Sequence, residues 1–220
     1  MMKLHLGCGA TYLDGYVNID YPVSEQTVQV DVRADKYEDI KKLTYLASSV
    51  DEVRLHHVFE HFPRPTALAL LCRWQDWLKT GGLLRIETPD AMASFKAIIS
   101  PFISFDNKQQ VMRHLFGSHE APWAVHWDGW YKEKFKVTLK TLGFCDLKFI
   151  EKKRGILRNL EVIAYKSEKN FSFHDYSTSV ESLLNKSTVR LHPKEKCWPE
   201  DSEAGMLKVW MSMWKEAYEI

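Results

Sequence analysis

Lys3-Leu4-His5-Leu6-Gly7-Cys8-Gly9 is a short β-prone run that stops in Gly-x-Gly, and a second run, Tyr16-Val17-Asn18-Ile19-Asp20, follows it and stops in a carboxylate. Glycine has no Cβ and tolerates unusual φ/ψ, so a ligand can approach the bare backbone there. A carboxylate ending the next strand can accept hydrogen bonds from a ribose diol. This is the nucleotide-binding logic of a doubly wound α/β sheet. The usual dinucleotide motif has a third glycine and an acidic residue about 20 residues on. Here the third glycine is absent and the interval is shorter, which argues against a nicotinamide cofactor.

Working outward, the chain alternates strands and helices. Lys3–Leu6, Val17–Asp20, Thr27–Val32 and Glu52–His56 read as strands, the third from its alternating Val28, Val30 and Val32. A helix is expected over Thr66–Lys79. Pro63 and Pro65 sit at its entry, Ala67, Leu70, Leu71, Trp74, Trp77 and Leu78 form its stripe, and Gly81-Gly82 is its stop. Leu83–Glu87 is a fifth strand, and Ala91–Ile99 a helix cut by Pro101. Phe102–Gly129 has no clean period and reads as irregular structure over the sheet. Tyr131–Leu142 is helical, and Phe144–Ile150 with Leu160–Tyr165 form a terminal hairpin about Gly155. The pattern predicts a Rossmann-like doubly wound α/β fold, its sheet mostly parallel with one antiparallel strand in a C-terminal hairpin.

Further blocks follow in order: Asp39-Ile40 and Leu43, Ser49-Val50-Asp51-Glu52-Val53, His56-His57-Val58-Phe59-Glu60-His61-Phe62, Trp77-Leu78-Lys79-Thr80-Gly81-Gly82-Leu83-Leu84, and Glu87-Thr88-Pro89-Asp90. Together they resemble the class I S-adenosylmethionine-dependent methyltransferases, most closely the small ones that begin at LHLGCG and carry HVxEH and LKxGG. The resemblance covers roughly residues 3–166, so 1–166 is expected to be the cofactor-binding domain and 167–220 an extension. It implies S-adenosylmethionine as cofactor. Leu6, Gly7, Cys8 and Gly9 would pass its methionyl-adenosine moiety, Asp20 would hold the ribose, and Asp39 would meet the adenine amino group, with Asp31 and Asp35 as rivals. His56 and His57 would wall the methionine part.

The 220 residues suit one domain with an appendage, and 45% hydrophobic content suits a globular core. A net charge of +1 gives no bulk signal for nucleic acid. No apolar run approaches the about 20 residues that span a bilayer. The first strand begins at once, leaving no room for a signal peptide, and Cys8, Cys72, Cys145 and Cys197 are scattered without a CxxC pair. A reducing cytoplasm is therefore expected.

Methyl transfer from a sulfonium is an in-line displacement, for which donor and acceptor must be held about 3 Å apart. A hydroxyl acceptor also needs a base. The segment Gly117–Trp130, dense in histidine, tryptophan and carboxylate, is the expected substrate side. His126 is the first candidate base, with Asp128 nearby to orient it, followed by His119 and then His57. Aromatic faces with polar neighbours suit a sugar or glycan hydroxyl, and the resemblance associates compact relatives with polysaccharide assembly. Lys132, Lys134, Lys136 and Lys140 form either a phosphate-attracting run or a solvated helix face.

His57-x-x-Glu60-His61 spells the inverted zinc-peptidase motif. The strand before it and Pro63 and Pro65 after it prevent a long helix, so zinc hydrolysis is set aside and no metal is expected. The alternative is a magnesium-type site at Glu60 and His61, implied by the resemblance of this Glu-His block to that of some quinone-pathway O-methyltransferases, although His57 replaces an acidic position of that set. Residues Ser167–Glu203 are polar and broken by Pro193 and Pro199. Met206, Trp210, Met213, Trp214 and Ala217 then form an apolar stripe that needs cover, from this domain or from a second copy in a homodimer. A non-catalytic module that keeps the fold and grips a partner such as a glycosyltransferase is the rival reading.

Overall fold

The computed structural model describes residues 1–22, 31–189 and 202–220. Seven strands form one sheet in the order β3-β2-β1-β4-β5-β7-β6. β1 (Lys3–Leu6), β2 (Val17–Asp20), β3 (Lys36–Tyr37), β4 (Val50–His56) and β5 (Leu78–Pro89) are parallel. β6 (Phe144–Arg154) and β7 (Leu157–Lys166) form the hairpin, and β7 runs antiparallel to both its neighbours. The expected mostly parallel sheet with one antiparallel strand is the observed one.

The sheet edge corrects one expectation. Of Thr27–Val32, residues 27–30 lie outside the described residues, and Asp31 and Val32 are not in a strand. The edge strand is Lys36–Tyr37, paired with Ile19 and Asp20. Asp35 sets this register. Its carboxylate accepts the Asn18 backbone N–H at 2.8 Å and the Asn18 side-chain amide at 3.2 Å, so pairing begins at the next residue. The same buried Asn18 organises the helix-free crossover from β1 to β2. Its amide donates to Leu13 O and Tyr16 O, and its oxygen accepts from Leu13 N.

After β4, a 3-10 turn over Phe59–His61 leads into α1 (Arg64–Trp77). This helix is buried nearly all round, from Ala67 through Gln75, because the sheet covers one side and the C-terminal helices the other. It stops at Trp77, two residues before the expected end, and β5 starts at Leu78. Val50 pairs with Leu78 but Glu52 pairs with Leu83, so Lys79–Gly82 bulge out, with Gly81 at φ +72°. The glycine pair thus makes a bulge within β5 rather than a helix stop.

α2 (Ala91–Ile99) is capped by Asp90, whose side chain accepts from Ala93 N. The stretch expected to be irregular contains α3 (Phe105–Phe116), capped by Ser104 and ended by Gly117 at φ +95°. Only Val111 and Leu115 of α3 are buried, while Phe105, Met112 and Phe116 are exposed, so the helix carries no full apolar stripe. α4 (Lys132–Thr141) buries Phe135, Thr138 and Leu139.

The tail also differs from expectation. Within the segment read as polar and broken lies α5 (Phe173–Asn185), started by a capping box between Ser172 and Asp175. α6 (Ser202–Tyr218) then packs on α1 and α5. Trp214 is buried in a cluster with the rings of Phe173 and Tyr218, and Leu207, Trp210, Met211 and Ala217 pack against the core. Met213, assigned to the stripe from sequence, is exposed because the buried face is centred on Trp214 and includes Leu207 and Met211 instead. The cover comes from this chain itself. Asp76 fastens it by accepting from Tyr176 Oη at 2.8 Å and Tyr218 Oη at 2.9 Å. Among the described residues, no helix is long and apolar enough to cross a membrane.

Candidate active site

The carboxyl ends of β1, β2, β4 and β5 bring most of the sequence-predicted residues to one edge. Gly7 and Gly9 follow β1 at φ +67° and +54°. Their surroundings differ. A Cβ on Gly7 would lie 2.2 Å from Val58 Cγ2, whereas one on Gly9 would meet nothing within 4 Å. Gly7 lets β1 pack against the turn after β4, and Gly9 leaves open space. Leu6 is fully buried in the core, and Cys8 is buried with its thiol against Arg33 O. Burial, followed by the charge of Asp20, pushes the Cys8 thiol up to about 12, so it stays protonated.

Asp20, at the end of β2, accepts the Gly9 N–H at 2.6 Å through one oxygen and the Tyr21 N–H at 2.7 Å through the other. A carboxylate offers about four acceptor sites, so these backbone donors of the described residues leave two for a diol. Asp39 follows β3 and caps the 3-10 turn Ile40–Lys42 by accepting from Lys41 N, with Lys41 Nζ at 3.3 Å. Its rival Asp35 is held by Asn18 and by Tyr12 Oη at 2.8 Å.

Beyond β4 the histidines and carboxylates converge. His56 is exposed, its Nε2 3.2 Å from Glu87 Oε1. His57 adopts φ +55°, a strained backbone for a non-glycine residue and one that turns its ring inward. Its Nδ1 meets Glu60 Oε1 at 3.1 Å and its Nε2 meets the Asn159 amide at 2.8 Å. Burial opposes charge on this ring, but the Glu60 hydrogen bond and the charges of Glu60 and Glu87 outweigh it and raise its pKa. Burial likewise opposes ionisation of Glu60, yet His57, then His61 and His126, lower its pKa. The two form a dyad of a half-buried imidazole and a buried carboxylate.

His126 is reached from the far end of α3. Its Nδ1 contacts Leu115 O at 3.2 Å and its Nε2 stands 4.0 Å from Glu60 Oε1, while burial lowers its pKa. His61 stacks edge-on with it, ring centroids 4.5 Å apart. His114 lies beside His57, and burial with the His57 charge pushes it down to about 4. His119 is exposed and rests on Phe116 O at 2.9 Å, outside this cluster. Asp128 does not orient His126. It is paired with Arg64 at 3.2 Å and Lys134 at 2.6 Å, and Glu60 faces His126 instead. Lys134 is thereby also committed and unavailable to a phosphate.

Sequence reasoning missed three partners here: Glu87 on β5, Asn159 on β7 and His114 on α3. Glu87 is nearly buried and held by His56, Lys152 and Asn159, which together outweigh burial and lower its pKa. Its sequence signals were its place at the end of the fifth strand and in the Glu87-Thr88-Pro89-Asp90 block, neither of which gave it a role.

Strand order, one antiparallel strand and a nucleotide-type edge after β1 and β2 now stand together. The fold is that of the class I S-adenosylmethionine-dependent methyltransferases. No family model matches the sequence, and no curated protein matches it. Solved structures with the methyltransferase fold do. One is a Haloferax volcanii methyltransferase in complex with the Trm112 methyltransferase activator, at TM-score 0.51 and 12% identity, covering 78% of this chain and 84% of that one. Another is a methyltransferase from Listeria monocytogenes, at TM-score 0.49 and 14% identity, covering 76% and 91%. A Bordetella parapertussis protein aligns at TM-score 0.47 and 19% identity, covering 75% of this chain but only 61% of its own length.

Proposed function

We propose that this chain transfers a methyl group from S-adenosylmethionine to an oxygen acceptor, a sugar or glycan hydroxyl of polysaccharide assembly, in the cytoplasm. One observation carries the reading: the open face at Gly9, backed by Asp20, adjoins the His57–Glu60 dyad across the contact of Gly7 with Val58. In this proposal the cofactor lies over Gly7–Gly9, its ribose on the two free acceptor sites of Asp20 and its adenine toward Asp39. S-adenosylmethionine supplies an electrophilic methyl group.

The acceptor hydroxyl lies over the ends of β4 and β5. His57 Nε2 takes its proton, displacing the Asn159 amide. Glu60 accepts from Nδ1, fixing the ring and stabilising the imidazolium, the arrangement of a base steadied by a third group. Exposed Trp127 offers a face for a sugar ring. Labelled methyl transfer to sugar nucleotides and glycan acceptors is the test, with His57→Gln as control. Transfer to carbon or nitrogen acceptors alone would overturn the oxygen assignment. Cofactor binding without transfer to any acceptor would favour the non-catalytic module.

A further inference from the structure

Glu60 is 2% exposed, and only one of its oxygens is used. Oε1 meets His57, while Oε2 is buried with no partner. Leaving a buried carboxylate oxygen unpaired is costly, and such an atom calls for an explanation. Two imidazoles face the same carboxylate. His61 Nδ1 lies 2.8 Å from Trp123 O, and His126 Nδ1 lies 3.2 Å from Leu115 O. A carbonyl can only accept, so each Nδ1 carries the hydrogen and each Nε2 keeps its lone pair. Fixing the ring by a hydrogen bond from its other nitrogen is the usual support of a metal-bound histidine. One donor atom from each of Glu60, His61 and His126 falls within 4.8 Å of the others.

We propose that Glu60, His61 and His126 form a site for a divalent transition-metal ion, with zinc the best match. Two imidazoles and a carboxylate suit zinc, and magnesium prefers oxygen ligands. An ion about 2.0–2.1 Å from each donor would draw them to about 3.3 Å apart, within reach of side-chain rotation. Three protein ligands leave a fourth position for water or an acceptor oxygen. The set is not the helical H-x-x-E-H arrangement. His57 is engaged with Glu60 Oε1 through its Nδ1 and stands outside the set, and the third ligand comes instead from a segment already tied to the turn by Trp127 N donating to Glu60 O at 2.9 Å. A second group, His56, His57 and Glu87, is also compact, but Lys152 and Asn159 already satisfy Glu87. The site departs from the sequence-based expectation of no metal.

The test does not depend on methyl transfer. Chelator-treated full-length protein is titrated with zinc chloride, alongside His61→Gln, His126→Gln and His56→Ala. One equivalent should bind wild type and His56→Ala alike, raising their melting temperatures. Either glutamine variant should bind about 100-fold or more weakly, beyond the usual effect of an outer-shell change. X-ray absorption on zinc-loaded wild type gives a reading independent of the variants and should count two imidazole nitrogens. Absence of stoichiometric zinc binding, loss on His56→Ala alone, or a sulfur-ligated spectrum would overturn the proposal.

Discussion

Gly7→Ala is expected to be severely destabilising, for a reason unrelated to any ligand. Its Cβ would stand 2.2 Å from Val58 Cγ2 and 3.1 Å from Cγ1, on a backbone at φ +67°. Left-handed backbone costs a non-glycine residue about 1–2 kcal/mol. Forcing a methyl group into a packed contact costs about 1–3 kcal/mol more. The sum, about 2–5 kcal/mol, is a large share of a typical stability of about 5–15 kcal/mol. Val58→Ala removes both Cγ atoms and leaves only Cβ, 3.2 Å from the added methyl group, so Gly7→Ala in that background should cost little more than the backbone share. Urea denaturation of wild type, both single variants and the double variant closes the cycle, with an expected coupling of about 1–3 kcal/mol. Gly9→Ala has the same handedness but no neighbour within 4 Å, so about 1–2 kcal/mol is expected there. If Gly7→Ala costs the same with and without Val58, or no more than Gly9→Ala, the packing argument is refuted.

Asp20→Ala should weaken S-adenosylmethionine binding by about 1.5–3 kcal/mol, roughly tenfold or more, in a calorimetric titration; equal affinities would remove Asp20 from the ribose. His57→Ala should lower turnover about 10²–10⁴-fold, with cofactor affinity within about twofold, and a collapse of that affinity would make His57 a cofactor contact instead. Glu87 has a folded pKa below its ordinary 4.5, so it stabilises the fold above that pH and the contribution fades as pH falls. Denaturation midpoints of Glu87→Gln between pH 6 and 3 should therefore fall less steeply than those of wild type, and parallel curves would contradict the assignment. Trp214→Ala should cost about 3–5 kcal/mol, since its ring is buried against Phe173 and Tyr218. An unchanged melting temperature would mean that α6 does not dock as described.

The first two strands were legible residue for residue because each is a short apolar run cut by glycine or by an aspartate just before Pro22. The terminal hairpin was legible from its two apolar runs about Gly155. α3 was not, since it buries only Val111 and Leu115. α5 carried a readable start in Ser172-Phe173-His174-Asp175, but its weak apolar spacing lay within a polar tail. The pairing at Lys36–Tyr37 was not legible because a buried Asn18 and its partner Asp35, rather than alternation, decide where it begins. At the site, sequence singled out His57 and His126, which the structure brings together, and His119, which it does not, and gave no sign of what they face. Glu60 gathers His57 from its own turn and His126 from the segment that follows an unrecognised helix, and Asn159 arrives from the antiparallel strand. Such convergence is a property of the packed sheet and has no period in the chain.

The polar fittings of α1 bear on how the molecule assembles. Arg73 donates to Lys41 O and Leu43 O, and also to Ala217 O, 144 residues further on. Asp76 waits for Tyr176 and Tyr218, 100 and 142 residues away. A ribosome adding about 5–20 residues per second takes on the order of 10 s to deliver those partners. Until then Cys72 and Trp74 lie in a helix that only the growing sheet can cover, and its outer side offers bare apolar surface beside a guanidinium still short of its Ala217 partner. Closure of such distant contacts is also slow in itself. The nascent chain therefore passes through a state in which the sheet strands are made and the outer wall is missing, and that is where a chaperone would be needed.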